Sequence, residues 1–262
     1  MKIKFQKYQA NGNDFIMLVE KETGIALAEK QITKLCDRHF GIGADGLMVL
    51  RNSEAYDFEM HYYNSDGKKA SMCGNGGRSI ASLAYSLGYA GKRMVFLASD
   101  GVHEAIIEKE IIKGILFDVS LKMVDVEKVK QLPDHFFLNT GVPHYVEFVE
   151  GLADMDVVNK GRQIRFDNRF GAEGTNANFI EVHHDRIEIR TYERGVEDET
   201  LSCGTGVTAS AIATFIKTGK KGLPIHARGG SFKVNFEQQE AGFVNVWLRG
   251  PAEKVFEGEI DL

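Results

Sequence analysis

A chain of 262 residues is long enough to bury one large core or two smaller ones, and we expect two domains. The net charge of −5 gives no general attraction to nucleic acid or to an anionic membrane, so a small-molecule partner is expected. Three cysteines cannot make a disulfide framework, and their odd number leaves at least one thiol out of any pairing.

The N-terminal segment MKIKFQKYQANGNDF alternates polar and apolar side chains. It has no continuous apolar stretch and therefore resembles neither a signal peptide nor a membrane span, so a cytoplasmic protein is expected. Ile3 and Phe5 lie on one face of this alternation and predict the first strand.

Alternation with a period of two continues along the chain and predicts further half-buried strands. Their apolar positions are Phe58, Met60 and Tyr62; Phe117, Val119 and Leu121; Ile187 and Ile189; Phe232, Val234 and Phe236; Val244, Val246 and Leu248.

The first predicted helix covers residues 26–39, where Ile32, Leu35, Cys36 and His39 follow helical spacing. Cys36 is expected in the core because it lies beside Leu35 on the apolar face. The Cys-x-x-His spacing is also compatible with a metal site, but no second ligand pair with zinc-like spacing accompanies it, and no metal is expected.

Two more helices are predicted directly after Cys73 and after Cys203. Both helices carry small or apolar residues on nearly every side, a pattern that is typical of buried helices. Their periodic positions are Ile80, Leu83, Ala84 and Leu87 in one, and Thr208, Ala211, Ile212 and Phe215 in the other. Gly88 and Gly219 are suited to end them.

Matching motifs recur at a nearly constant separation. The pairs are Gly12 and Gly141 (129 residues apart), Asp45 and Glu173 (128), Asn64 and Glu193 (129), and Cys73 and Cys203 (130). The repeat predicts two halves, each mostly antiparallel sheet around a buried helix, joined near residues 121–130. Shared function is then expected in a cleft where the halves face each other.

The segments MCGNGGR at 72–78 and SCGTG at 202–206 place a cysteine before a glycine-rich helix start. Glycine allows close approach of backbone to a ligand, and the N–H groups of a helix start favour an anion such as a carboxylate or a thiolate. Inverting a carbon next to a carboxylate requires one group that removes a proton and another that returns one on the opposite face. The paired cysteines therefore predict an epimerase or racemase that needs no cofactor.

Two alternatives remain open. The glycine loops could hold a nucleotide phosphate in a binding module, although neither has a P-loop or dinucleotide spacing. The same two cysteines could also join as a disulfide, which we expect as an oxidative inactivation when no substrate is bound.

Seven ordered motifs together resemble the diaminopimelate epimerase family, which belongs to the pyridoxal-phosphate-independent amino-acid racemases. They are GNDF at 12–15, HFGIGADGL at 39–47, YNSDG at 63–67, MCGNGGR at 72–78, EGTNANF at 173–179, YERGVEDET at 192–200 and SCGTG at 202–206. The resemblance covers nearly the whole chain.

This resemblance implies an α/β fold of the α+β type with two pseudo-symmetric domains, residues 1–121 with 250–262 and residues 122–249. It implies cofactor-independent interconversion of LL- and meso-diaminopimelate, in lysine and peptidoglycan precursor synthesis, by a homodimer.

The resemblance also implies roles for individual residues. Cys73 and Cys203 match the catalytic pair, and His144 and Glu193 match the residues that assist them. Glu193, with the backbone of Arg194, would hold the reacting amino group. The reacting carboxylate would bind at Gly74, Asn75, Gly204 and Thr205. The distal amino-acid end would be recognised by Asn13, Asn64, Asn176 and the Arg194 side chain.

Two positions depart from the family pattern. Val142 stands where the family usually has asparagine before Pro-His, and Gly46 stands where some members carry glutamine. Each departure removes an amide from the expected substrate pocket. A two-cysteine racemase of another amino acid is therefore the alternative to diaminopimelate epimerisation.

Overall fold

A computed structural model describes residues 2–23 and 27–262 and divides the chain into two compact units. The first unit comprises the chain up to residue 121 together with residues 250–262, and the second comprises residues 122–249. Within the described ranges, no helix has the length and apolarity needed to cross a membrane.

The first unit is built mainly from strands. Its strands are β1 (Lys2–Ala10), β2 (Asn13–Val19), β3 (Gly46–Arg51), β4 (Phe58–Asn64), β5 (Arg93–Ala98), β6 (Gly101–Ile112), β7 (Leu116–Lys122) and the second part of β16 (Gly242–Asp261). Its helices are α1 (Glu20–Thr23), α2 (Glu29–Cys36) and α3 (Gly74–Ser86).

The strands of the first unit pair in chain order and close on themselves through β16. That strand pairs with β7 at one side, where Gly250 faces Val119, and with β1 at the other, where Gly258 faces Phe5. The β2–β3 and β4–β5 pairs are parallel and the others antiparallel. The buried helix α3 contacts β1, β2, β3 and β6.

The second unit repeats this construction. Its strands are β8 (Val129–Gln131), β9 (Phe136–Asn139), β10 (Pro143–Phe148), β11 (Asn176–Val182), β12 (Ile187–Glu193), β13 (Asp198–Thr200), β14 (Ile225–Ala227), β15 (Gly230–Gln239) and the first part of β16. Its helices are α4 (Val157–Arg165) and α5 (Gly204–Thr218), with short 3-10 turns at Leu152–Asp154 and Asn168–Phe170.

The order of parallel and antiparallel pairs is the same in the two units. In the second unit the order is β8-β9-β10-β11-β12-β14-β15-β16, and the β10–β11 and β12–β14 pairs are parallel. The buried helix α5 contacts β9, β10, β11, β12 and β15. The predicted α/β fold, with two sheet-rich units and few helices, is confirmed.

A second helix packs on the sheet of each unit, α2 in the first and α4 in the second. Ile32, Leu35 and Cys36 of α2 are buried in a core cluster, so the expected core position of Cys36 is confirmed. Burial raises the pKa of this thiol to about 11. Helix α4 has no counterpart among the helices predicted from the sequence.

The predicted helix over residues 26–39 is too long. Helix α2 ends at Cys36 because the Asp37 carboxylate accepts hydrogen bonds from the backbone N–H groups of His39 (2.7 Å) and Phe40 (2.8 Å) and turns the chain. His39 is consequently exposed and does not share the buried face of Cys36. Ala26 lies outside the described residues.

The predicted apolar spacing is interrupted in two other elements, α3 and β16. Leu87 follows the last residue of α3 and is exposed, while Gly88 adopts a φ of 75°. In β16, Phe243 and Val246 are buried but Val244 is only half-buried, because Asn245 adopts a φ of 51° and interrupts the alternation.

Candidate active site

Cys73 occupies the cap position immediately before helix α3. Its Sγ accepts a hydrogen bond of 3.2 Å from the backbone N–H of Gly76, in the first turn. A helix start favours negative charge, and an N–H bond to sulfur stabilises the thiolate in the same way. A Cβ on Gly76 would overlap the Cε atom of Met48, so a side chain there requires the flexible end of Met48 to move.

Asn13 brings its amide oxygen to the Cys73 thiol. Asn13 Oδ1 lies 3.9 Å from Cys73 Sγ and 3.5 Å from Asn75 Nδ2. Asn13 Nδ2 donates to Asp45 Oδ2 at 2.6 Å. Because a carboxylate only accepts, this bond sets the orientation of the Asn13 amide and turns its oxygen toward Cys73.

Charged residues form a network around Asp45, the carboxylate that accepts from Asn13. Arg38 donates two hydrogen bonds to the Asp14 carboxylate (3.0 and 2.8 Å) and one to Asp45 (2.7 Å). Lys7 is buried, lies 2.8 Å from Asp14 and also donates to Gly43 O. Burial would raise the pKa of Asp14, but the bonds from Arg38 and Lys7 hold it at about 2. The network therefore keeps Asp45 in place as the acceptor for Asn13.

Arg78 is a fully buried cation in the second turn of α3. It donates to the side-chain oxygens of Asn11 (2.8 Å) and Asn75 (2.9 Å) and to Gly74 O (3.1 Å). Burial lowers its pKa to about 10, opposed by the negative charges of Cys73 and Asp118, so Arg78 stays charged at neutral pH. Its bond to Asn75 turns the amide nitrogen of Asn75 toward Asn13.

Asn64 ends β4 opposite Gly46 of β3. Its backbone closes a turn by accepting from Gly67 N and donating to Lys68 O, each at 2.9 Å, and the residue is exposed. A Cβ on Gly46 would lie 2.6 Å from Tyr62 Cε2 and 2.7 Å from Tyr63 O. Tyr62 and the backbone thus occupy the space that a glutamine at position 46 would need.

Cys203 occupies the matching position before helix α5 in the second unit and is buried. Its Sγ lies 3.3 Å from the hydroxyl of Thr205, and either atom can donate. The Thr205 carbonyl accepts from Thr140 Oγ1 at 2.9 Å, which ties the helix start to the loop before β10. The two thiols therefore differ in their local contacts, a helix N–H at Cys73 and a hydroxyl at Cys203.

His144 lies on β10 and is completely buried. Burial, together with the positive charge of Arg194, lowers its pKa to about 3, so the imidazole is neutral at physiological pH. Asn178 Nδ2 lies 3.0 Å from His144 Nδ1, while His144 Nε2 has no hydrogen-bond partner among the described residues.

Asn176, Glu193 and Arg194 meet where β11 and β12 adjoin. Asn176 Oδ1 accepts from Arg194 N at 2.8 Å, and its Nδ2 donates to Pro143 O at 3.2 Å. The Arg194 guanidinium pairs with Glu173 at 3.2 Å, and Glu193 O accepts from Glu197 N at 2.8 Å. The Asn176 amide is thus bonded to backbone on both sides, which no sequence pattern indicated.

One further cluster in the described chain offers metal-ligating atoms within 4.8 Å of one another, formed by Glu181, His183 and Glu188. Glu181 accepts from Leu152 N at 2.9 Å, and Glu188 accepts from Arg186 at 2.9 Å. These bonds already use the carboxylates for local structure, and the cluster is not connected by any described contact to either cysteine.

A family model described as diaminopimelate epimerase matches residues 5–119 and 136–255. The chain belongs to the diaminopimelate epimerase family. Among its relatives, the diaminopimelate epimerase of Flavobacterium psychrophilum is 46% identical, with 98% of this chain and 100% of that protein covered. The diaminopimelate epimerase of Aquifex aeolicus is 38% identical, with 98% of each chain covered.

Solved structures show that the fold extends beyond the diaminopimelate epimerase family. A phenazine biosynthesis protein of the PhzF family from Bacillus anthracis has a TM-score of 0.78 and 13% identity, with both chains fully covered. A hydroxyproline epimerase from Agrobacterium vitis has a TM-score of 0.68 and 13% identity, covering 100% of this chain and 93% of the other.

In this member of the diaminopimelate epimerase family, several structurally important residues lie inside the quoted motifs but had no predicted role. Asp14 belongs to GNDF, Asp45 to HFGIGADGL, Arg78 to MCGNGGR and Asn178 to EGTNANF. Their position inside a quoted motif was the available signal. Arg38 and Thr191 lie outside the motifs and had no such signal.

Proposed function

We propose that this chain interconverts LL- and meso-diaminopimelate, with Cys73 and Cys203 acting as the base and the acid on opposite faces of one α-carbon. The observation that carries the proposal is the equivalent placement of the two thiols, each capping the buried helix of one duplicated unit. Membership of the diaminopimelate epimerase family supports the same reaction.

In the proposed reaction, the thiolate of one cysteine takes the α-proton and the thiol of the other delivers a proton to the opposite face. The carbon is inverted, and the two sulfurs exchange protonation states. The electron pair released from the C–H bond is delocalised onto the carboxylate, where the N–H groups at the helix starts stabilise the added charge. Two side-chain acid/base groups suffice for this chemistry.

The remaining polar residues are assigned to substrate recognition. Glu193 and the Arg194 backbone hold the reacting ammonium, and Gly74, Asn75, Gly204 and Thr205 receive the reacting carboxylate. Asn13, Asn64, Asn176 and the Arg194 side chain recognise the distal end, where a guanidinium suits a carboxylate and amide oxygens suit an ammonium. His144, being neutral, assists as a hydrogen-bonding group.

A two-cysteine racemase acting on another amino acid is the second candidate, and Val142 and Gly46 favour it. Both positions lack an amide, and Tyr62 fills the space beside Gly46. A Val142→Asn variant restores the family's usual amide. If diaminopimelate is the substrate, its KM should fall several-fold in this variant with kcat little changed.

The test is α-hydrogen exchange in deuterated water, followed by NMR. LL- and meso-diaminopimelate are compared with single amino acids, including proline, hydroxyproline, lysine and glutamate. We expect loss of the α-proton signal and appearance of the other isomer with diaminopimelate alone. Exchange with a single amino acid in its place would select the second candidate, and no exchange with any of them would overturn both.

We extend the proposal to a homodimer in the cytoplasm, as the sequence resemblance implies. Size-exclusion chromatography with light scattering tests the assembly, and cell fractionation tests the compartment. A monomer at micromolar concentration, or recovery in the membrane or secreted fraction, would contradict the corresponding part.

A further inference from the structure

Three buried polar side chains lie on adjacent strands beside the start of α5. His144 is on β10, Asn178 on β11 and Thr191 on β12, and each is at most 3% exposed. Asn178 Nδ2 lies 3.0 Å from His144 Nδ1 and 2.8 Å from Tyr145 O, and Thr191 Oγ1 lies 3.0 Å from Asn178 Oδ1. Together they form a continuous hydrogen-bonded row.

The chemistry of these partners determines the protonation of the imidazole. Tyr145 O can only accept, so the amide group beside it must be the NH₂ of Asn178. The Asn178 oxygen consequently faces Thr191 and accepts from its hydroxyl. Because the same NH₂ group faces His144 Nδ1, that nitrogen accepts and carries no proton, and the ring proton lies on Nε2.

The duplicated unit shows what the fold itself requires at these positions. The strand registers place Phe15, Met48 and Tyr62 where the second unit has His144, Asn178 and Thr191. Phe15 and Tyr62 pack edge to face with ring centroids 6.0 Å apart. Met48 abuts Gly76, just as Asn178 Oδ1 abuts Gly206. The fold accepts two apolar side chains and a tyrosine here, with no amide and no imidazole, so packing alone does not explain the hydrogen-bonded row of the second unit.

We propose that Asn178, oriented by Thr191, is a positioning residue that holds His144 as the neutral Nε2–H tautomer, so that His144 donates a hydrogen bond and does not act as a base. The buried Nε2–H, which has no partner among the described residues, is then the group presented to substrate or to a reacting thiolate. The proposal rests on the proposed function, in which His144 assists proton transfer.

The surroundings oppose the charged imidazolium. Protonation of Nδ1 would set its N–H against the NH₂ of Asn178, and Arg194 adds an unfavourable positive charge. Burial acts in the same direction and lowers the pKa of His144 to about 3. His144 therefore stays neutral through the pH range in which a cysteine pair exchanges protons.

The first test reads the tautomer directly. Protein labelled with ¹⁵N in histidine is examined by long-range ¹H–¹⁵N correlation NMR, and a His144→Gln variant identifies the signals of His144. We expect a protonated Nε2 and an unprotonated Nδ1. A protonated Nδ1, or a mixture of the two tautomers, overturns the proposal whether or not the proposed function holds.

The second test changes the partner of the ring. In Asn178→Asp the carboxylate accepts from Nδ1–H and selects the opposite tautomer, which removes the proton from Nε2. We expect the Nε2 signal to move to its unprotonated position and kcat to fall about tenfold or more, with a smaller change in KM. Asn178→Met copies the residue of the first unit and should also lower kcat while keeping the fold.

Thr191 supplies a matched pair of variants that does not alter Asn178. Thr191→Val removes the hydroxyl that orients the amide and should lower kcat and broaden the tautomer signals, whereas Thr191→Ser should restore both. Two outcomes would overturn the proposal. The first is an unchanged kcat in Asn178→Asp after a demonstrated change of tautomer, which rules out the donor role. If Asn178→Asp does not fold, the second decides: equal kcat and equal spectra in Thr191→Val and Thr191→Ser.

These outcomes are separate from the failure of the proposed function. If the parent protein exchanges no α-hydrogen with diaminopimelate or any amino acid in the panel, the proposed function fails, while the NMR result still decides the tautomer. If His144→Gln lowers kcat but the Asn178 and Thr191 variants do not, the proposed function stands and the positioning role fails.

Discussion

The two thiols have the same place in the two units but different neighbours. Cys73 Sγ accepts a backbone N–H from Gly76, and a buried cation, Arg78, follows one turn later. Cys203 is beside the Thr205 hydroxyl, and the residue that matches Arg78 is Thr208, which donates to Gly204 O. A base and an acid that exchange roles need not be identical, and these contacts distinguish them.

Replacing either thiol by a hydroxyl tests the proposed pair at the residue scale. We expect Cys73→Ser and Cys203→Ser each to lower kcat for epimerisation by about 10²–10⁴-fold, because a serine hydroxyl is a far weaker acid than a thiol. The variants are compared with the parent by NMR-detected epimerisation and by far-UV circular dichroism, which should not change. Normal turnover in either variant would rule out the two-thiol mechanism.

His144 should make stability depend on pH. Its folded pKa of about 3 lies below the 6.5 of an unperturbed histidine, so the unfolded chain binds the proton more readily and stability falls as the pH drops below 6.5. Between pH 7.5 and 5 the loss from this residue is about 2 kcal/mol.

The control for this effect is His144→Phe, which copies Phe15 of the first unit and removes the titrating group. Urea unfolding of both proteins at pH 7.5 and pH 5 isolates the contribution of His144, because other groups titrate equally in each. The free energy of unfolding of the variant should fall by about 2 kcal/mol less than that of the parent. An identical fall in both proteins would contradict the assignment.

At the scale of elements, the helix starts depend on glycines that allow close approach. A Cβ on Gly76 would meet the flexible end of Met48, whereas a Cβ on Gly206 would meet Asn178 Oδ1. The Asn178 side chain is held by hydrogen bonds to three residues and cannot move away without breaking them. The side chain that faces the glycine can therefore move aside at the start of α3 but not at the start of α5.

This difference predicts unequal costs for the same substitution. Gly206→Ala should destabilise the protein by about 1–3 kcal/mol through overpacking. Gly76→Ala should be nearly neutral, because the Met48 end can shift and alanine favours a helix by about 1 kcal/mol over glycine. Thermal and urea unfolding of the two variants give the comparison, and a larger loss in Gly76→Ala would contradict it.

At the scale of the whole molecule, the last strand contributes to both units. Residues 242–249 of β16 pair with β15 in the second unit, while residues 250–261 pair with β7 and β1 in the first. The first unit consequently depends on residues from both ends of the chain. Its ring of strands cannot close until the C-terminal residues are present.

Ala252 tests this dependence. It is completely buried in β16 opposite Phe117, so Ala252→Asp should cost about 3 kcal/mol or more by burying a carboxylate. Val255→Asp is the matched control, because Val255 lies on the same strand but is exposed, and its cost should stay within about 0.5 kcal/mol. Hydrogen-exchange measurements should show faster amide exchange in β1 and β7 of Ala252→Asp. Equal stability of Ala252→Asp and Val255→Asp would contradict the dependence of the first unit on β16.

The site roles, the homodimer and the cytoplasmic location are proposals that the measurements above test, and the domain boundaries stay a prediction from the sequence. The family and the fold class were predicted from the sequence and are confirmed. The helix starts at Cys73 and Cys203 were also predicted and are present, since glycine-rich caps followed by apolar helical spacing are properties of a short stretch of chain.

Sequence alone determined what depends on short-range pattern: alternating strands, two capped helices and a repeat that fixes equivalent positions. The tertiary structure decided which strands are neighbours, and with them the row from Thr191 to His144 and the bonds from Arg38 that hold Asp45. Periodicity reports which face of an element is buried but not which distant residue lies opposite. Partners for buried polar groups are chosen by the pairing of strands, and that is a property of the folded chain.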